Sequence, residues 1–378
     1  MSKMKIGIDA TSVCRSITGI EYYTLNLVKN ILQMNGVDNY VIFFRKEIHP
    51  ELAEFIDKAK FLVCPIDNQI FCEQIWLPYV TAKEKVDLMH FPAFAPGLFT
   101  VTRYVTTIHD ASIWKYPHWY SWKSRCYTLP LLRLSSKQAA HILTVSQYSK
   151  SELARFAKIE RDKITVGHEA IDEKFKLVKE RIILREVKQK FNLSEKFILT
   201  VSSLDLARNF ERLLKAYAIF NQNQSDFSYK LVLTGRKSLG MSRIMNNIQE
   251  LGLKGKVILT GYVSDADLVT LYNLATVFIY LPLYAGFGLP PLQAMACGTP
   301  VITSNVASLP EVVGDGAVTV DPYNVEAVVA ALKEVTNNKK LRLELIERGF
   351  KRVKLFNWKE VAEKTIETYR KIFADGTR

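Results

Sequence analysis

The sequence predicts an α/β chain of two doubly wound, Rossmann-like domains facing an interdomain cleft. Three observations lead there. The 378 residues exceed what one hydrophobic core commonly serves. Short apolar runs alternate with longer segments of helical period, the pattern of parallel strands joined by crossover helices. The alternation occurs twice, and a charged stretch from Glu169 to Glu195, poor in strand signals, separates the two series. Residues 1–175 are therefore expected to form one domain, 176–355 a second, and 356–378 a closing helix.

In the first series residues 5–10, 40–44, 88–91, 103–108 and 141–145 read as strands. Residues 20–34 read as the first helix, with Leu25, Val28, Ile31 and Leu32 as its apolar stripe. The second series places strands at 197–202, 230–234, 256–260, 276–280, 300–303 and 317–320. At the end, Val361, Ala362, Ile366, Tyr369 and Ile372 make 358–373 an amphipathic helix that needs a surface to cover. Doubly wound sheets bind ligands beyond the carboxyl ends of their strands, so the loops there are where functional residues are sought.

Composition narrows the partners. Hydrophobic residues make up 48% and charged residues 24%, a balance that excludes a disordered chain. Lys and Arg outnumber Asp and Glu by 51 to 38, and the net charge of +13 favours an anionic partner. Nucleotide phosphates and an anionic membrane both fit; nucleic acid is set aside because no recognised module accompanies the charge. The five cysteines, Cys14, Cys64, Cys72, Cys126 and Cys297, are scattered without zinc-ligand spacing, as in a reduced cytoplasmic protein. No apolar run is long enough to span a bilayer and none at the start reads as a signal peptide, so any membrane contact is expected to be peripheral, at the inner face.

The densest chemical signal is Y-A-G-F-G-L-P-P-L-Q-A-M-A-C-G-T-P-V-I at 284–302. Gly286 and Gly288 allow close approach to the backbone, and Pro290 and Pro291 suit a first helical turn. A glycine loop opening a helix is an anion site, though a ligand-free tight turn gives the same letters. His109 ends an apolar strand, where it either serves the cleft or is a satisfied structural histidine; Asp110 orients that imidazole or caps the next helix. Gly19 follows the first strand in a turn able to offer N–H groups to a diphosphate, but T-G-I-E is too short a pattern to stand alone. Arg208 is either a phosphate ligand or a solvated helix-start arginine. The aromatic and basic run at 114–125 suits a membrane interface, an acceptor-sugar groove or a core. Asp265 and Asp267 stand in D-A-D and read as the cap of the following helix rather than a metal site.

The 284–302 motif resembles that of the retaining glycosyltransferases of family 4, of group 1 type and GT-B architecture, which commonly read E-G-F-G-L-P-x-L-E-A-M-A-C-G-x-P-V-I. The resemblance extends to G-I-D-A at 7–10, T-G-I at 18–20, T-I-H-D at 107–110, T-V-S-x-x-S-K at 144–150, L-T-G at 233–235, G-Y-V at 261–263 and S-L-P-E-V at 308–312. It implies an N-terminal acceptor domain, a C-terminal donor domain and a last helix that crosses back to the first. It implies an enzyme moving a hexose, of which mannose is one candidate, from a UDP- or GDP-linked sugar to a saccharide or lipid-linked acceptor in surface glycan synthesis, with no cofactor and no metal. Its implied catalytic positions are His109, Asp110 and Ala285. The implied donor-binding positions are Gly19, Ser203, Arg208, Gly235, Gly261, Val263, Gly286, Phe287, Gly288, Leu289 and Gln293. The chain departs from the pattern where Ala285 and Gln293 replace glutamates beside the transferred sugar and the ribose, and in 201–209, where Arg208 is the one basic residue. These departures keep open a non-catalytic homologue acting as a binding or scaffolding subunit.

Overall fold

The structure, a computed structural model, describes residues 4–13, 19–34, 38–93, 96–100, 102–204, 208–222, 229–236 and 240–376. Cys14, Thr18 and residues 205–207, and with them part of two motifs quoted above, lie outside the described residues.

The chain divides into two compact units, Met1–Glu169 with Asn357–Arg378, and Ala170–Phe356. The first break falls ahead of the 175/176 read from the sequence because Phe175 is buried and meets Tyr272 of the second unit edge to face, with ring centroids 6.2 Å apart. The charged stretch is thus partly anchored by an aromatic at its start.

The first unit contains β1 (Lys5–Asp9), β2 (Asn39–Phe44), β3 (Lys60–Val63), β4 (Leu88–Phe91), β5 (Tyr104–Thr107), β6 (His141–Thr144) and β7 (Ile164–Val166), in the spatial order β3-β2-β1-β4-β5-β6-β7. All its pairs are parallel. Strands β3 and β7 are missing from the sequence reading. Both are edge strands of four and three residues, and the burial of β3 is only partial, so neither carries the continuous apolar run that marks a buried parallel strand.

The helix Ile20–Gln33 buries more than its predicted stripe: Tyr22, Tyr23, Asn26 and Leu27 are covered as well. The reason is the last helix, Trp358–Gly376, which packs against it, with the Trp358 ring 6.1 Å from Tyr22 and 5.7 Å from Tyr23. Arg103 donates to the Ile372 carbonyl at 2.8 Å, and Tyr369 lies 2.6 Å from His90 Nδ1. The long apolar face of this helix is therefore spent within the first unit.

The second unit contains β8 (Phe197–Val201), β9 (Lys230–Thr234), β10 (Val257–Gly261), β11 (Val277–Tyr280), β12 (Val301–Ser304) and β13 (Ala317–Val320), in the order β10-β9-β8-β11-β12-β13, again all parallel. Each sheet reverses its winding direction once, between β1 and β4 in the first and between β8 and β11 in the second.

His90 couples the first fold unit to pH. Its ring is fully buried between Tyr369 and Thr107, and burial, aided by the charge of His109, pushes its pKa from 6.5 down to about 3. The unfolded chain therefore binds the proton first. The stabilisation is complete above the unfolded value and is lost as pH falls from 6.5 towards 3. His141, lowered to about 4 by burial and nearby lysines, acts in the same direction, whereas the raised carboxyls of Asp9 and Glu73 act in the opposite one. We expect urea denaturation to show His90 alone costing about 2 kcal/mol between pH 7 and pH 5. His90→Gln should remove that share of the pH slope, whatever its effect at pH 7.

Candidate functional site

Parallel strands put all their carboxyl ends on one edge of a sheet, and in the second unit that edge collects most of the expected donor residues. Ser203 and Arg208 follow β8, Gly235 follows β9, Gly261 ends β10 with Val263 just beyond, and Ala285 to Gln293 follow β11. Arg208 and the glycine loop therefore flank the β8/β11 reversal. Arg208 donates from Nη1 to the hydroxyl of Tyr280, the last residue of β11, at 3.0 Å. Tyr280 was not singled out from the sequence; its place at the end of an apolar strand is the signal that was available.

The loop after β11 is held from behind by buried hydroxyls. Thr303 donates to the Tyr280 carbonyl at 2.7 Å and Ser304 to that of Pro282 at 2.8 Å. The single Ser308 hydroxyl hydrogen lies between the carbonyls of Ala285, at 2.9 Å, and Phe287, which share it. All three hydroxyl residues are fully buried, so water does not compete for these bonds. Phe287 packs edge to face on Phe356 at 5.6 Å, and Ala285 is buried. Gly288 precedes the helix Leu289–Ala296 with φ 125°, and a Cβ there would meet Leu309 Cδ2 at 2.6 Å. Pro290 and Pro291 lack N–H groups, so the donors for an anion at this helix start belong to the loop Gly286–Leu289 rather than to the whole first turn.

Gln293 lies one turn into that helix, and its Oε1 accepts from the buried Tyr272 hydroxyl at 3.1 Å. The amide nitrogen remains to serve as a donor, where the family glutamate could only accept. Asp265 and Asp267 sit in the first turn of Asp265–Leu274, but the capping side chain is Ser264, accepting from the Asp267 N–H at 3.2 Å. The two aspartates pair with Lys174 and Lys190, each at 2.7 Å. Among the described residues no cluster of His, Cys, Asp and Glu could hold a metal.

The remaining expected residues lie in the first unit. Gly19 precedes the helix Ile20–Gln33 with φ 47°. His109, just beyond β5, is held through both ring nitrogens: Nε2 to the Pro92 carbonyl at 2.9 Å and Nδ1 to Glu169 Oε1 at 3.2 Å. Asp110 accepts from the Ser112 N–H at 2.8 Å, so of its two readings the geometry shows the turn-capping one. Glu169 escaped the sequence reading because β7, the strand that delivers it, is too short to be seen.

A polar hollow of about 160 Å³ opens beyond the ends of β1 and β2, lined by Thr11, Ser12, Glu21, Arg45, Gln69, Cys72 and Glu73. Burial raises the carboxyls of Asp9, which accepts from the Thr11 N–H at 3.0 Å, and of Glu73, which Gln69 partly offsets by donating at 2.8 Å. The Ser12 hydroxyl is buried there with no hydrogen-bond partner. The aromatic run splits: Trp114 packs on the core, Tyr116 and Trp119 stack at 4.2 Å, and Trp122 is exposed at the start of the helix Trp122–Gln138.

Residues 184–352 match the family model described as glycosyl transferases group 1, and residues 17–175 match that of glycosyltransferase family 4. Each half of the chain thus resembles a glycosyltransferase family model. O-antigen chain mannosyltransferase B of Escherichia coli is 29% identical over 381 residues, covering 97% of this chain and 100% of the relative. The serotype-specific mannosyltransferase WbdA of Escherichia coli is 30% identical over 241 residues, 62% of this chain, and the match spans only 29% of that longer protein. Among solved structures, a sucrose-phosphate synthase of Thermosynechococcus elongatus aligns with a TM-score of 0.77 at 20% identity, covering 99% of this chain and 100% of that one. HepE of Anabaena, in complex with UDP and glucose, aligns with 0.73 at 15% identity over 97% and 100%. The fold of the chain is accordingly of GT-B type, and among its described residues no helix is long and apolar enough to cross a membrane.

Gly235 tests how tightly the donor edge is built. Its N–H donates to the Gly261 carbonyl at 3.0 Å, and at φ 149° an added Cβ would sit 1.9 Å from the Ser202 carbonyl oxygen. Gly252 also has positive φ, 63°, but a Cβ there meets nothing within 4 Å. Gly235→Ala should cost about 3 kcal/mol or more in urea unfolding, and Gly252→Ala only about 1 kcal/mol.

Proposed function

We propose that the chain is a retaining hexosyltransferase of surface glycan synthesis, moving mannose from a UDP- or GDP-linked sugar to a saccharide or lipid-linked acceptor. The observation that carries this is that Arg208, bonded to Tyr280 at the end of β11, and the Gly286–Leu289 loop both follow the strands that flank the β8/β11 reversal, where a doubly wound sheet takes its ligand and where a cation and loop N–H groups suit a diphosphate. The relatives named as mannosyltransferases and the neighbour solved with UDP support it.

In this reading Arg208, Ser203, Gly286, Phe287, Gly288 and Leu289 take the diphosphate, and Gly19 is assigned to donor binding on the resemblance of its own turn. Gly235, Gly261 and Val263 border the base, Gln293 donates to the ribose, and His109, Asp110 and Ala285 belong to the reacting sugar. The polar hollow, with the buried Glu73 carboxyl, the half-buried Glu21 and the unpartnered Ser12 hydroxyl in its lining, suits the hydroxyls of an acceptor sugar. No resident metal or cofactor takes part, so chelator leaves turnover unchanged. Turnover should be measured over a panel of nucleotide sugars, with product anomers read by NMR; inverted anomers, or no donor turned over, would refute the reading. Arg208→Ala should weaken donor affinity about tenfold or more, since a hydrogen bond to a charged group contributes about 1.5–3 kcal/mol.

Ala285 and Gln293 favour a second reading, a non-catalytic homologue that binds a partner. Ala285→Glu combined with Gln293→Glu separates the two. In a weakened enzyme the pair should raise turnover about tenfold, chiefly through position 285. A dead parent and a dead revertant that both retain a partner protein would favour the scaffold.

Peripheral contact with an anionic membrane is part of the first reading. The helix Trp122–Gln138 has no acidic residue, exposes Trp122, Tyr127 and Leu134, and presents Arg125, Arg133 and Lys137 at its surface. Sedimentation with anionic vesicles but not neutral ones is expected. Arg133→Glu with Lys137→Glu should reduce the anionic binding by about tenfold or more, at about 1 kcal/mol for each charge removed.

A further inference from the structure

Glu169 and His109 form a closed pair in the first unit. Their side chains are 8% and 13% exposed, so water scarcely competes for the 3.2 Å contact between Glu169 Oε1 and Nδ1. The other ring nitrogen, Nε2, lies 2.9 Å from the Pro92 carbonyl, which can only accept. Nε2 therefore carries a hydrogen. Nδ1 then faces a carboxyl oxygen with one proton between them, and imidazole, the stronger base of the two groups, is the one to carry it. The rest of the residue is equally constrained. Tyr23 stands edge-on to the ring at 4.7 Å, Ser149 donates to the His109 carbonyl at 3.0 Å, and Thr144 donates to that of Ile108 at 2.7 Å. Asp110, the nearest other carboxylate in sequence, is turned to Ser112.

We propose that Glu169 is a positioning residue that holds His109 doubly protonated, so that this unit offers the reaction a fixed positive charge at the end of β5 rather than a general base. The proposal rests on the reading that His109 serves sugar transfer. A cation held rigidly by protein partners stabilises developing negative charge without reorganising when the leaving diphosphate separates. A base at the same place would need a lone pair directed at substrate, and both nitrogens are already engaged.

Glu169→Gln isolates the charge. The glutamine amide can donate to a neutral Nδ1 while Nε2 still donates to Pro92, so the ring stays in place and loses one proton. Glu169→Asp, one methylene shorter, keeps the charge but withdraws it. Histidine labelled with ¹⁵N should show the His109 ring doubly protonated in the parent and singly protonated in Glu169→Gln, with unchanged melting. The turnover number kcat of Glu169→Gln should fall about tenfold to a hundredfold with KM altered less than about twofold, and Glu169→Asp should recover part of the loss. A singly protonated ring in the parent overturns the proposal, and so does unchanged kcat in Glu169→Gln. If the parent turns over no donor, the hexosyltransferase reading fails on its own account, and the ring signals of the parent still decide whether Glu169 holds the proton. If Glu169→Gln fails to fold, the parent spectrum and the Glu169→Asp kinetics carry the decision, with full activity in Glu169→Asp counting against it.

Discussion

Parallel pairing is the constraint on which the rest of this chain depends. A strand that must run alongside its neighbour in the same direction has to be reached by a crossover, and each crossover returns the chain to the same end of the sheet. Loops leaving the carboxyl ends are thereby gathered along one edge, whatever their distance in sequence. Arg208 and Tyr280 lie 72 residues apart and bond at 3.0 Å because β8 and β11 are neighbours. His109 and Glu169 meet across 60 residues by the same logic.

The two units use that edge differently. In the second, the loops are shaped by backbone: glycines with positive φ at positions 235, 261 and 288, and carbonyls drawn back by the buried hydroxyls of Thr303, Ser304 and Ser308. Such a loop can offer N–H groups with little reorganisation, which is what a diphosphate requires. In the first unit the edge is shaped by ionisable side chains, several of them buried. His90 stays neutral because the interior disfavours its charge, while His109 has an acid beside it.

The last helix shows how the units are assembled from discontinuous chain. Its apolar stripe at Val361, Ala362, Ile366, Tyr369 and Ile372 was plain in the sequence, and all five residues are buried. The partners were not plain. Tyr22 and Tyr23 lie more than 330 residues upstream of Trp358, and a helix built to be covered on two sides looks in sequence like one covered on a single side.

Local pattern determined a good deal by itself. The eleven strands read from apolar runs all exist to within a residue or two, nine of them because a strand buried on both faces must be apolar throughout and the partly buried edge strands β10 and β13 because their runs are apolar even so, and the glycine and proline letters of 284–302 mark a helix start because only certain backbones permit it. Tertiary structure alone decided the partners of the side chains. The edge strands β3 and β7 are partly exposed or too short to carry a run, so Glu169 could not be assigned a strand end or a histidine. Gln293 could not be matched to Tyr272, nor Arg208 to Tyr280, nor Asp110 to its own turn rather than to His109. Periodicity reports which face of an element is buried; it holds no information about which distant element covers that face, and hydrogen-bond partners are chosen only when the elements have docked.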